Sequence, residues 1–181
     1  TGDICIKISR IAKSEVQITG FDLNFSMLEI AKTKSDKQHI SNLRFIQGDV
    51  ADMPFHDSSF DAMTIGFGFR NLTFENAKAG VYLKDMNRIL RKGAFLYILE
   101  SSVPSNKIIR QFYNYYLRFF LIPLGTLISG NRNAYSYLAQ SSSGFFSTRE
   151  LEDLLMKYGF RIMTVRKFFF GASNLIVAIK V

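Results

Sequence analysis

The sequence predicts a doubly wound α/β fold: a mostly parallel sheet that ends in an antiparallel hairpin. Three observations predict it. Strand-like apolar runs alternate with helix-patterned segments at a spacing suited to strand–helix–strand crossovers. The runs at 60–66 and 94–99 are mostly apolar, as buried parallel strands are. The last two runs, 161–169 and 173–181, are linked by a short turn around Gly171, so they must be antiparallel.

The elements follow in order. Gly2-Asp3 precedes a predicted helix over 4–13, with Asp3 near its N-cap. Residues 16–21 read as a strand ending at Asp22, and Ser26 as the cap of a helix running to about Lys34. A short strand over 43–47 ends in Gly48-Asp49, and the strand over 60–66 follows. Ala79, Leu83, Met86 and Leu90 share one face of a helix predicted over 75–90. Lys92-Gly93 turns the chain into the strand over 94–99. A helix over 148–158 is closed by Gly159.

A chain of 181 residues suffices for one domain with a sizeable core, and 48% hydrophobic with 21% charged residues argues against disorder. The single cysteine, Cys5, excludes an internal disulfide framework, and with His39 and His56 far apart no metal site is expected. Net charge is +8, of which residues 101–181 carry +7. Such asymmetry points to an anionic surface or ligand, but no recognition motif supports nucleic acid. The chain begins Thr1-Gly2-Asp3 without Met or a signal-peptide pattern. This turn lacks the strand that should lead into it, so truncation at the N-terminus is expected.

Four constellations carry chemistry. Thr1-Gly2-Asp3 is a turn that lets backbone approach a ligand at a helix N-terminus; an ordinary N-cap reads the same way. Asp22 ends a strand about twenty residues later, where an acid accepts hydrogen bonds from a ribose diol; a helix-capping Asp is the alternative. Asp49 and Val50 follow the next strand, where an Asp bonds an adenine amine and an apolar neighbour packs on the ring; a simple turn Asp competes. Gly66, at the end of the strand over 60–66, opens a loop that carries Arg70, a permanent cation and strong donor, and Asn71; a flexible loop with a surface Arg is the alternative.

Gly20-Phe21-Asp22-Leu23-Asn24 with Ser26-Met27-Leu28 resembles the ubiquinone/menaquinone biosynthesis C-methyltransferase family. So do Asp52-Met53-Pro54-Phe55, Ser59-Phe60-Asp61 and Gly66-Phe67-Gly68-Phe69-Arg70-Asn71. Ile122-Pro123-Leu124, Leu127-Ile128-Ser129-Gly130 and Ala134-Tyr135-Ser136-Tyr137-Leu138 are similar to that family's insertion. The resemblance implies a Rossmann-like class I methyltransferase sheet lacking its first strand, with a substrate-cap insertion at about 104–146. It implies S-adenosylmethionine as cofactor, contacted by Thr1, Gly2, Asp22, Asp49, Val50 and Gly66. The implied acceptor is a prenylated quinol, of demethylmenaquinol type on the Gly66 loop and the Ile-Pro-Leu-Gly insertion. Gln140 stands where the family carries Glu, which removes one carboxylate base.

For the chemistry, Arg70 is expected to stabilise the phenolate and a water held by Arg70 and Asn71 to take the proton. His56, in an exposed loop, is the titratable alternative. The run over 108–128 has 21 residues, but Arg110, Asn114 and Arg118 form a polar stripe and Pro123 interrupts it. Three roles stay open for it: covering the sheet, lining a prenyl-tail pocket, or lying in a membrane interface. A cytoplasmic protein, with peripheral contact at the inner face of the membrane and scope for oligomers, fits these readings. Another small-molecule methyltransferase, a nicotinamide-dependent enzyme using Asp22, and an inactive fragment are the alternatives.

Overall fold

The computed structural model describes residues 1–12, 15–104, 106–130, 146 and 148–181. Its contacts group into two compact units, Thr1–Phe55 and His56–Val181.

In the first unit, helix α1 (Asp3–Ile11) leads to strand β1 (Ile18–Asp22), helix α2 (Phe25–Asp36) and strand β2 (Leu43–Gln47). β1 and β2 pair in parallel from Ile18↔Leu43 to Asp22↔Gln47, with α2 as the crossover. Asn24, not Ser26, caps α2: its side chain accepts from the Met27 amide. Asn and Ser cap helices about equally well, so residue type alone leaves the start ambiguous. Leu28, Ala31 and Ser35 are the buried positions of α2, at helical spacing.

The second unit opens with strand β3 (Phe60–Gly66), helices α3 (Phe69–Thr73) and α4 (Ala79–Ile89), and strand β4 (Leu90–Ser101). α4 starts four residues later than the periodicity suggests and buries Leu83, Met86 and Ile89. β4 starts earlier than expected. Leu90 already pairs with Phe60, residues 91–94 loop out with Gly93 at φ 80°, and Ala62↔Phe95 resumes the parallel ladder. Ala94, Leu96 and Ile98 are buried at the two-residue period of a strand.

After β4 come helix α5 (Lys107–Tyr116), a π-helical stretch (Leu117–Leu121) and helix α6 (Ile122–Ser129). Pro123 was expected to interrupt this run, yet the helix continues. Proline lacks an N–H and crowds the carbonyl four residues back. The wider turn just before it relieves both demands, with the Ile122 amide donating to the Leu117 carbonyl. The insertion residues 134–138 and Gln140 lie outside the described residues.

Helix α7 (Thr148–Lys157) stops at Gly159, φ 79°, whose amide donates to the Met156 carbonyl. Strands β5 (Phe160–Phe168) and β6 (Ser173–Lys180) form the expected antiparallel hairpin, turned by a 3-10 segment at Phe169–Gly171. The sheet order is β3-β4-β6-β5, and only β6 runs against its neighbours. The core of this unit joins Leu83, Met86, Leu96, Ile98, Leu155, Phe160 and Ile176.

Candidate functional site

The first unit carries Thr1, Gly2, Asp22, Asp49 and Val50. Because β1 and β2 are parallel and in register to their last pair, both deliver their following residues to one sheet edge. The Gly48 amide donates to the Asp22 carbonyl at 3.1 Å, and Gln47 Nε2 to the Leu23 carbonyl at 3.1 Å. Asp22 and the Gly48-Asp49 turn are thereby held side by side. The Phe21 ring lies over Gly48, where any Cβ would stand 2.6 Å from it. A larger residue there would push the Phe21 ring aside.

The two carboxylates differ. Asp22 is exposed; its Oδ1 accepts from the Asn24 amide at 2.9 Å, which leaves Oδ2 for a diol. It does not cap α2, since Asn24 does, so the capping alternative falls away. Asp49 is half-buried and closes a local turn, accepting from the Ala51 amide at 2.9 Å; half-buried Val50 lies within it.

At the start of α1, Gly2 takes φ 71°, and an added Cβ would meet Ala31 Cβ at 2.5 Å. Thr1 donates to Asp3 at 2.6 Å, and Lys34 reaches the same carboxylate at 2.8 Å. These hydrogen bonds, that from Lys34 first and then that from Thr1, hold the Asp3 carboxyl below its ordinary value. Burial pushes the Cys5 thiol up, away from the reactive thiolate.

The second unit carries Gly66, Arg70 and Asn71. Gly66 is the exposed last residue of β3, paired with Leu99. Phe67 follows at φ 55°, and its amide donates to the Leu99 carbonyl at 2.8 Å. Beyond Gly68 the expected loop is instead the short helix α3. That helix turns Arg70 inward, to 4% exposure, and leaves Asn71 exposed.

Sequence reasoning missed the reason for this burial, which is Glu100. Near the carboxyl end of β4, Glu100 is 1% exposed. Its Oε2 accepts from the Arg70 amide at 3.0 Å and its Oε1 from the Ser101 amide at 2.9 Å. Arg70 Nη1 stands 4.0 Å from Oε1. A buried carboxylate needs donors and a counter-charge, and Arg70 supplies both. An acid directly after an apolar strand was the available signal, but it reads equally well as a strand's exposed end. His56 lies exposed in a loop, as the sequence suggests.

A second feature of this unit is an apolar cleft of about 510 Å³ between α5 and the β5–β6 turn. Ile109, Phe112, Tyr113 and Tyr116 line one side and Phe169 and Ala172 the other. Among the described residues, no helix is long and apolar enough to cross a membrane.

This α/β architecture is that of S-adenosylmethionine-dependent methyltransferases. The structure of such an enzyme from Aquifex aeolicus superposes with a TM-score of 0.67 at 15% identity, covering 97% of this chain and 74% of that one. One from Methanosarcina mazei gives 0.64 at 19% identity, covering 99% and 88%. Residues 1–180 match the model of the ubiE/COQ5 methyltransferase family, and the chain belongs to that family. Demethylmenaquinone methyltransferase of Porphyromonas gingivalis is 41% identical over 162 residues, 89% of this chain and 64% of that protein. The enzyme of the same name from Staphylococcus haemolyticus is 34% identical over 173 residues, 96% of this chain and 70% of that protein. The chain thus spans about two thirds of the length of these relatives.

Proposed function

We propose that the protein transfers a methyl group from S-adenosylmethionine to a ring carbon of a prenylated quinol of demethylmenaquinol type. The observation that carries this reading is the family match over residues 1–180, together with relatives named for that reaction. The same match favours methyl transfer over the nicotinamide reading of Asp22.

The residues fit the cofactor. Gly2 at the uncapped start of α1 suits an anionic end of the ligand, exposed Asp22 suits a ribose diol, and Asp49 with Val50 suits an adenine edge and face. Gly66 offers main chain without a side chain, and Thr1 a hydroxyl. Bound S-adenosylmethionine supplies an electrophilic methyl group. The chain's part is to align the acceptor carbon and stabilise the quinol oxygen once its proton leaves. Arg70 is the cation proposed for that oxygen, held in place by Glu100, whose opposite charge offsets part of its field. Exposed Asn71 donates to and accepts from the same group or a water between.

In this reading residues 1–181 belong to one methyltransferase domain with a substrate cap at about 104–146. The apolar cleft beside α5 takes the prenyl chain, and the protein is cytoplasmic with peripheral contact at the inner membrane face.

The test is an assay with methyl-labelled S-adenosylmethionine and reduced demethylmenaquinone. The full protein is expected to place label on the ring, identified by mass spectrometry. Absence of label from every demethylated quinol offered overturns the assignment.

A further inference from the structure

We propose that the turn bearing Phe169 and Phe170, together with the aromatic face of α5, is the surface by which this protein docks on anionic phospholipid. This deepens the peripheral-contact reading above and rests on it, but assigns the contact to named residues.

The turn is the first observation. Phe169 and Phe170 are 80% and 83% exposed, and both hold positive φ, 49° and 56°. Bulky residues avoid that region, and two in succession are strained. The turn is nevertheless pinned: the Ser102 amide donates to the Ala172 carbonyl at 2.9 Å, and the Ser102 hydroxyl to the Gly171 carbonyl. Strain is thus spent on presenting two phenyl rings to solvent at the tip of a hairpin.

The second observation is the helix beside it. α5 and the π-helical stretch divide into three sectors. Ile109, Tyr113 and Leu117 face inward, Arg110, Asn114 and Arg118 form an exposed polar stripe, and Phe112, Tyr115, Tyr116 and Phe119 an exposed aromatic one. Tyr115 stacks on Phe119 at 5.6 Å between centroids. Phe112 and Tyr116 line the same cleft as Phe169, so the aromatic sector and the hairpin tip are contiguous. A soluble surface rarely keeps a patch of this kind without a partner.

Charge selects the partner. Residues 101–149 contain no Asp or Glu; the three acids of the second half, Glu150, Glu152 and Asp153, all lie on α7. Arg110 and Arg118 beside the aromatic stripe, and Arg166 and Lys167 beside the turn, are exposed and, among the described residues, join no salt bridge. Aromatic rings flanked by cations match the headgroup region of an anionic bilayer. A second copy of the chain meeting this face would set cations against cations.

The test uses vesicles of phosphatidylcholine with rising phosphatidylglycerol. Partitioning of the full protein should rise with the phosphatidylglycerol fraction and fall as salt is added. The pair F169S/F170S should lower partitioning by about tenfold or more, because exposed rings no longer enter the interface. The pair R166Q/K167Q should blunt its dependence on phosphatidylglycerol. Residues 1–181 contain no Trp, so Phe170→Trp places a reporter at the tip with no other Trp in this span. Its emission should shift to the blue on vesicles and be quenched by brominated acyl chains, which also covers a double variant that fails to fold. If the wild type stays in solution at every composition, the peripheral-contact reading itself fails. If the wild type binds but F169S/F170S binds equally and Phe170→Trp is not quenched, only the assigned surface is wrong. Sedimentation velocity showing a dimer that F112S/F119S dissociates would make this face a subunit interface and overturn the proposal.

Discussion

The carboxyl edge of the β1–β2 sheet and the Arg70–Glu100 corner both present charge, but at opposite depths. At the first, Asp22 stands in water with one oxygen engaged by a neighbouring amide. At the second, a carboxylate and a guanidinium are almost wholly enclosed. Water screens the first, so the fold owes it little, and its value appears only when a ligand replaces water. The second is a structural commitment, because an enclosed ion left without its partner costs more than the pair contributes. Ligand recognition and stability should therefore separate by mutation.

The largest effect should come from Glu100→Ala. It strands the Arg70 charge and removes the acceptor for the buried Arg70 amide and the part-buried Ser101 amide, so urea unfolding should show a loss of roughly 3–5 kcal/mol. A loss under about 1 kcal/mol, the scale of an exposed pair, would erase the contrast.

Arg70→Lys sharpens the comparison by keeping the charge and losing the planar fork. Turnover on the reduced quinone should fall by roughly tenfold to a thousandfold, as for loss of one preorganised donor. Cofactor affinity, measured in parallel by calorimetry, should barely move. Normal turnover would leave Arg70 with a purely structural task.

Asp22→Ala should do the reverse of Glu100→Ala. Cofactor binding should weaken by roughly 1.5–3 kcal/mol, the scale of hydrogen bonds to a charged group. Stability should stay within about 0.5 kcal/mol, as for surface substitutions. Unchanged affinity in a titration would remove Asp22 from the cofactor edge.

The smallest effect belongs to Asp3. Hydrogen bonds from Lys34 and Thr1 lower its folded pKa below the ordinary 3.8. A lowered carboxyl stabilises the fold fully above its unfolded value and loses that contribution as pH falls through the folded one. Asp3→Asn should therefore melt slightly lower than wild type near neutrality and converge with it in acid. Parallel melting curves from pH 7 to pH 2 check this.

Periodicity made much of the scaffold legible in advance. Leu83 and Met86 on α4, Ala94, Leu96 and Ile98 on β4, and the stop at Gly159 all sit where spacing or turn chemistry puts them. The strand-end acids Asp22 and Asp49 were legible for the same reason, since strands impose an edge. What escaped was short or tertiary. The five residues of α3 make little more than one helical turn, too few repeats to show a face, and two nearby glycines make the segment read as loop. Burial of Arg70 depends on Glu100, thirty residues away in sequence. No local pattern encodes that meeting, because it is created by the pairing of β3 with β4.

The π-helical stretch at Leu117–Leu121 has a consequence of a different kind. Such a stretch holds one residue more than an α-helical path of the same course. Removing a single codon there would return the path to a plain α-helix of the same course, so that α6 keeps its orientation while Pro123 loses the wider turn that accommodates it. α5 and α6 are thereby joined by a segment that can shed one residue without turning either helix, provided the proline goes as well. The surplus residue and the proline are thus kept together, and a variant lacking both should leave the face of α6, Ile109, Tyr113 and the sheet as they are.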